Sequence, residues 1–289
     1  MREDLDRRLR RLSASGDPGE LIDLGCDLAE VGRQRDAEEC FRRAADLGDP
    51  IASFNLGNAL AAQGRGEEAV DAYVAALASG EVDAWRNLGL VLEELGDLAG
   101  AMRAYRCAGE AGDAAGWLGL AFLLREQGER EQALEVATAG AELGDPVACA
   151  VVASWRWATT FDPGLEPDLR AGAAHYPSAR ADLGRLLRDT GRIDEARRVL
   201  EHGAKLGETE SWLPLGNLYC DELSDEESAE EAYRAGIRAG DVYCHHNLGL
   251  LLVERGDVDG AVEQFKLGVA AGDDLAMRAL EQFEGPLAP

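Results

Sequence analysis

The chain has 289 residues and a formal charge of −26, a balance that opposes nucleic acid or an anionic membrane surface as partner, because both need a basic footprint. It is 46% hydrophobic, rich in Ala, Leu and Gly, with only nine prolines and few β-branched runs, which favours helices over strands. No apolar stretch reaches the roughly 18 residues of a membrane span, and the Arg-rich start, Met1 to Leu12, carries no hydrophobic core region or cleavage site, so neither a span nor secretion is expected and the location reads as cytoplasmic.

Glycine falls at positions 16, 32, 48, 64, 80, 96, 112, 128 and 144, nine times at intervals of sixteen. That beat suits one helix of about 12 to 14 residues plus a turn, since glycine takes the left-handed conformation that ends a helix without a Cβ clash. Two such helices make a unit of thirty-two, and the whole chain, 1–289, reads as one repeat array. Leu5, Leu9 and Leu12 precede Ala37, Phe41 and Ala44 by one full unit, so residues 1–15 are expected to form a lone second helix that caps the array. The Arg7, Arg8, Arg10 and Arg11 cluster then lies on the solvated face of that cap.

Residues 19–153 hold regular repeats one to four and the start of five. The clearest copy runs from Asp83 to Gly112: Trp85, Leu88, Gly89 and Leu92 form an i, i+3, i+4, i+7 stripe, and Ala101, Tyr105 and Ala108 follow on a second helix. Each Gly-Asp link is punctuation, the aspartate capping the next helix and complementing its dipole. The beat breaks over residues 154–177, where Trp155, Trp157, Phe161 and several prolines replace the expected glycines and the second helix contracts to roughly 168–175. Two readings stand for this irregular fifth repeat: a worn unit whose aromatics repack the seam, or a break that exposes Trp157 to a partner. Repeats six to eight occupy 178–272, with one extra residue in the acidic turn between Cys220 and Ser228, where Ser224 is expected to cap the next helix. A C-terminal capping helix follows over 273–284.

Trp85-x2-Leu88-Gly89 followed by Ala101-x3-Tyr105 resembles the tetratricopeptide repeat signature, and the Leu-Gly pair recurs at Leu24-Gly25, Leu56-Gly57, Leu183-Gly184, Leu215-Gly216 and Leu248-Gly249, softened at Leu120-Ala121 and Val152-Ala153. The links Gly112-Asp113 and Gly144-Asp145 are similar to those of Sel1-like repeats, a sister family. The resemblance implies an all-α fold, a right-handed α-solenoid of about eight antiparallel helix pairs with a lone capping helix at each end and a concave groove.

No catalytic constellation accompanies His175, His202, His245 and His246, and the carboxylates fall on helix faces and turns, where solvation explains them. The six cysteines are scattered without a Cys-x-x-Cys pair and read as buried thiols. No enzyme activity, cofactor or metal is therefore expected. The Arg-for-Lys and Ala/Gly bias looks like a high-GC bacterial coding style.

In the family the groove is lined by first-helix positions beside the buried stripe, which carries over here to Phe54, Arg86 and His246, to Asn58, Phe122, Arg185 and Asn217, and to Arg125, Trp157 and Arg188. Asn58 with Asn87, and Asn217 with Asn247, fall where peptide-binding members hold an extended ligand's backbone through side-chain amides. The expected partner is another protein or peptide with apolar side chains and a carboxylate, which an arginine grips bidentately. Self-association through the fifth repeat or an array end is the second reading.

Overall fold

The computed structural model describes residues 5–9 and 17–284. The cap positions Arg10, Arg11, Leu12 and Gly16 lie outside them. Among the described residues the chain is helical throughout, and it divides into two compact units, Met1–Ala148 and Cys149–Pro289.

In the first unit a short helix α1 (residues 5–9) is followed by four antiparallel pairs: α2 (Pro18–Glu30) with α3 (Gln34–Asp46), α4 (Pro50–Ala61) with α5 (Gly66–Ala78), α6 (Ala84–Glu94) with α7 (Leu98–Glu110), and α8 (Ala114–Glu126) with α9 (Arg130–Glu142). The second unit holds α10 (Pro146–Thr160), a 3-10 turn at Pro163–Leu165 and α11 (Glu166–Gly172), then α12 (Pro177–Asp189) with α13 (Ile193–Leu206). Its next pair is α14 (Trp212–Asn217), prolonged by a π-turn over Leu218–Glu222, with α15 (Glu226–Arg238). Last come α16 (Tyr243–Glu254) with α17 (Val258–Ala270), and α18 (Asp274–Glu284). Within each unit the first, or A, helices also pack on one another, α4 on α6 and α12 on α14, as an all-α solenoid requires.

The glycine beat has the cause its spacing suggests. From Gly32 to Gly144 the eight described link glycines adopt φ of 72° to 98°, where a side chain would strain the backbone. Asp17, Asp49 and Asp113 then accept the N–H groups of Glu20, Ile51 and Ala115, capping the helix that follows.

A second glycine series has a different reason. A Cβ at Gly57 would lie 2.5 Å from the Tyr73 ring, one at Gly89 2.6 Å from Tyr105, and one at Gly249 2.3 Å from Phe265. The glycine of the Leu-Gly pair is thus the socket for the large side chain of its second, or B, helix, an aromatic in these pairs and Leu200 against Gly184. Where the B helix carries Ala137 instead, the A helix carries Ala121, and both are fully buried. The softened fourth repeat is a matched substitution, small side chain against small side chain.

Several expectations are corrected. Trp157 is 3% exposed and packs with Leu169 and Leu183 in the core of the second unit, so the irregular fifth repeat does not display it. The B helix of that repeat spans Glu166–Gly172 rather than 168–175, because Asp162 caps a turn at Pro163 that starts it earlier. Asp225, not Ser224, caps α15: its carboxylate accepts from Ser228 N, while Ser224 sits at φ 52°. Only Cys40 and Cys244 are buried, whereas Cys26 and Cys149 are exposed. Asp182 and Asp273 are buried carboxylates, against the expectation that acids stay on solvated faces.

Candidate functional site

The A-helix face of the first unit is built around an amide. Tyr73 of α5 must reach across its glycine socket, and its hydroxyl emerges beside α4, where it donates to Asn58 Oδ1 at 2.8 Å. Asn87 of α6 donates its Nδ2 to the same oxygen, also at 2.8 Å. One carbonyl therefore ties a B helix to two consecutive A helices. Burial pushes the Tyr73 phenol up to about 12, so the hydroxyl stays a donor at any physiological pH. The Asn58 Nδ2 group and the Asn87 Oδ1 atom make no hydrogen bond among the described residues, which leaves one donor and one acceptor on the surface.

Around this amide pair stand the other predicted residues of the unit. Phe54 packs tilted against Tyr73, with ring centroids 6.2 Å apart. Leu90, in the position that Asn58 holds one pair earlier, is 49% exposed, and Phe122, one pair later, is 37% exposed. With leucine at position 90 the Tyr105 hydroxyl turns instead to Glu93 Oε2, at 2.7 Å. Arg86 lies 3.6 Å from Asp113, the aspartate that caps the next A helix. Arg125 is exposed at the end of α8.

The second unit repeats the amide arrangement. Tyr233 and Asn247 both donate to Asn217 Oδ1, at 2.8 and 2.6 Å. At the same relation between α10 and α12, Ser154 donates to Asp182 Oδ2 at 2.6 Å, and Arg185 pairs with the other oxygen at 2.9 Å. Arg188 pairs with its neighbour Asp189 at 3.0 Å. His246 stacks obliquely on Phe265, ring centroids 6.0 Å apart, with Nδ1 buried and unpartnered. Burial holds its imidazole below the usual range, the Asp273 carboxylate acting in the opposite sense.

The structure thus brings Asn58 to Asn87 and Asn217 to Asn247, places Phe54 against the first pair, and sets Trp157 in the core. It also brings carboxylates to the arginines: Asp113, Asp182 and Asp189 already hold Arg86, Arg185 and Arg188. A locally basic groove is therefore not what these residues make. Sequence reasoning missed the tyrosine hydroxyls. The signal was present, since the two B helices with Tyr73 and Tyr233 face Asn58 and Asn217, while Phe41 and Phe265 face Cys26 and Leu250. Among the described residues no cluster of three or more metal-ligating side chains occurs, and no helix is long and apolar enough to cross a membrane.

Comparison with known proteins agrees with this construction. Family models described as tetratricopeptide repeat match residues 22–81 and 67–111, and again 114–139, 177–202 and 242–265. The unmatched stretches 140–176 and 203–241 hold the irregular fifth repeat and the π-turn. No curated protein sequence matches the chain significantly. Among solved structures, a Sel1 repeat protein from Oxalobacter formigenes superposes with a TM-score of 0.66 at 20% identity, covering 96% of this chain and 90% of that one. A chain of the APC/C hetero-tetramer Cut9–Hcn1 superposes with a TM-score of 0.60 at 16% identity, covering 97% of this chain and 59% of that one. At such identities the likeness is one of fold.

Proposed function

This chain belongs to the tetratricopeptide repeat family, and from that premise we propose that it is a non-enzymatic scaffold whose A-helix faces hold a peptide or helical segment of a partner protein. The observation that carries the proposal is the half-used amide. Each Tyr-Asn-Asn brace engages one amide carbonyl and one amide N–H group, and the two asparagines keep one donor and one acceptor, the two kinds of group that the backbone of an extended ligand demands. In the first unit Leu90 and Phe122 flank that pair and offer apolar contact to the ligand's side chains.

The partner combines apolar side chains with a carboxylate, and Arg86 is the residue to receive it. Its contact with Asp113 is long, 3.6 Å, with both side chains well exposed, so exchange for a ligand carboxylate costs little. Arg185 is less available, because it would have to give up its ion pair with Asp182, whose side chain is 6% exposed. Such a site works in the cytoplasm without cofactor or metal.

The test is the double variant Leu90→Asp with Phe122→Asp, used beside the native chain to capture partners from the host. Both positions are exposed, so the helical spectrum should not change, while the partner captured by the native chain should be lost. Equal capture by the variant would overturn the proposal.

A further inference from the structure

A second site lies on the opposite side of α14, away from Asn217. Between α13 and α15 the surface opens into a pocket of about 340 Å³, with Trp212 and Leu215 among its lining residues. This pair carries one extra residue. The spacing from Gly207 to Gly240 is one longer than the regular unit, and the chain absorbs the addition in the π-turn, where Leu223 N donates to Leu218 O at 3.2 Å. Within that turn Tyr219 replaces the leucine found at Leu60, Leu92, Leu124, Leu187 and Leu252. Its hydroxyl donates to Glu201 Oε1 at 3.0 Å across the pocket wall. π-turns inside helices are rare and frequently accompany functional sites.

The preceding interval also opens into a pocket, of about 370 Å³, with Arg180, Leu183 and Glu195 among its lining residues, but its lining is different. At the position of Trp212 the earlier pair carries Arg180, which ties to Glu208 at 2.8 Å with both side chains nearly buried. Between α13 and α15 the uncharged indole of Trp212 stands in that position. Lys205 and Arg238, at the ends of their helices, line the pocket, and neither makes an ion pair or hydrogen bond among the described residues. Glu201 and Glu231 line it nearer the starts of the same helices. The charges are thus sorted: two carboxylates at one end, two cations at the other, an indole between. Along a helix the separation from Glu201 to Lys205 is about 6 Å and from Glu231 to Arg238 about 10 Å. A peptide advances roughly 3.3 to 3.6 Å per residue when extended.

We propose that the pocket between α13 and α15 binds a di- or tripeptide with free termini, its carboxylate at Lys205 and Arg238, its ammonium at Glu201 and Glu231, and an apolar side chain on Trp212. Charge complementarity sets the direction of the ligand, since the reverse orientation places like charges together at both ends. An acetylated or amidated segment inside a longer protein lacks one or both charges and is disfavoured.

Titration calorimetry of the full chain with the dipeptide Leu-Phe tests this. The free dipeptide should bind, and C-terminal amidation should weaken it about tenfold, the loss of one charge-assisted contact. In Lys205→Gln with Arg238→Gln, two exposed substitutions, free and amidated forms should bind alike. Ala235→Trp, at the pocket rim, should block both. No heat from the free dipeptide at millimolar concentration, indifference to amidation in the native chain, or undiminished binding by Ala235→Trp would each overturn the proposal. Leu90 and Phe122 take no part in this site, so its failure leaves partner binding by the first unit untouched.

Discussion

Repeats three and four, α6 to α9, and the fifth repeat, α10 and α11, make opposite use of their sequences. The regular pairs keep every link glycine and pack matched volumes, Gly89 against Tyr105 and Ala121 on Ala137, yet Leu90 is 49% and Phe122 37% exposed. The fifth repeat lacks the glycine beat, but Val151, Val152, Ala153, Ser154 and Trp155 are all buried, as is Trp157. Its most exposed aromatic is Phe161, 64% exposed and edge-on to Trp157 with centroids 5.5 Å apart, where the chain leaves α10 at φ 51°. Regularity of sequence and tightness of packing are separate properties. The glycines govern how helices end, whereas side-chain volume governs how they pack.

The contrast is broken most sharply by truncating the two aromatics that exchange places in it. Trp157→Ala should cost about 3–5 kcal/mol in the second unit, as a large buried side chain leaves a cavity, while Phe122→Ala, at a position 37% exposed, should cost clearly less. Denaturant unfolding of each variant measures the difference, and equal costs would mean that the aperiodic segment is as loosely packed as its sequence suggests.

A smaller effect separates the two glycine series. Gly57→Ala puts a Cβ 2.5 Å from the Tyr73 ring and should destabilise by about 1–3 kcal/mol, despite alanine's better helix propensity. Ala121→Gly in the matched pair should cost only about 1 kcal/mol, mostly propensity. Thermal melts compare them, and a neutral Gly57→Ala would show that the ring can move aside.

Much of the fold was legible in the sequence, because helix termination and helix amphipathicity are local. Gly112 and Asp113 need only their neighbours to end one helix and cap the next, so their spacing alone announces the array. The candidate site was half legible. Asn58 with Asn87 and Asn217 with Asn247 were found as pairs, but their shared tyrosine was not, since its hydroxyl arrives from a helix 15 or 16 residues away through a glycine gap. Trp157 stood between two readings, seam or display, because a break in a pattern carries no information about which face the next residue presents.

The smallest expected effect is electrostatic. At the start of α13 stands Arg192, where repeats three and four have Asp97 and Glu129. With Arg170 it encloses Glu166 and Glu195 in a closed ring of four charges, Arg170 Nη2 lying 2.7 Å from Glu166 and 2.6 Å from Glu195. Bonds from Arg192 and Arg170 hold both carboxylates below their ordinary range. A carboxylate whose folded value is depressed contributes stability that is present above its unfolded value, about pH 4.3, and lost as pH falls through the folded value. The second unit should therefore loosen around α11 and α13 below about pH 4. Hydrogen exchange followed down the pH scale would detect it, with Arg192→Gln as the control that removes the step. Because the ring is largely exposed, salt should weaken it as well.

By itself the sequence determined that the chain is a stack of helix pairs and where the glycine-linked helices end, both consequences of backbone conformation acting over a few positions. Only the tertiary structure decided what those helices display. Whether Trp157 faces solvent, whether Arg86 and Arg185 are free, and which side chains line the pocket beside Tyr219 depend on volumes and charges contributed by helices distant in sequence. The same repeat pattern is compatible with either outcome at each of these positions, and packing selects between them.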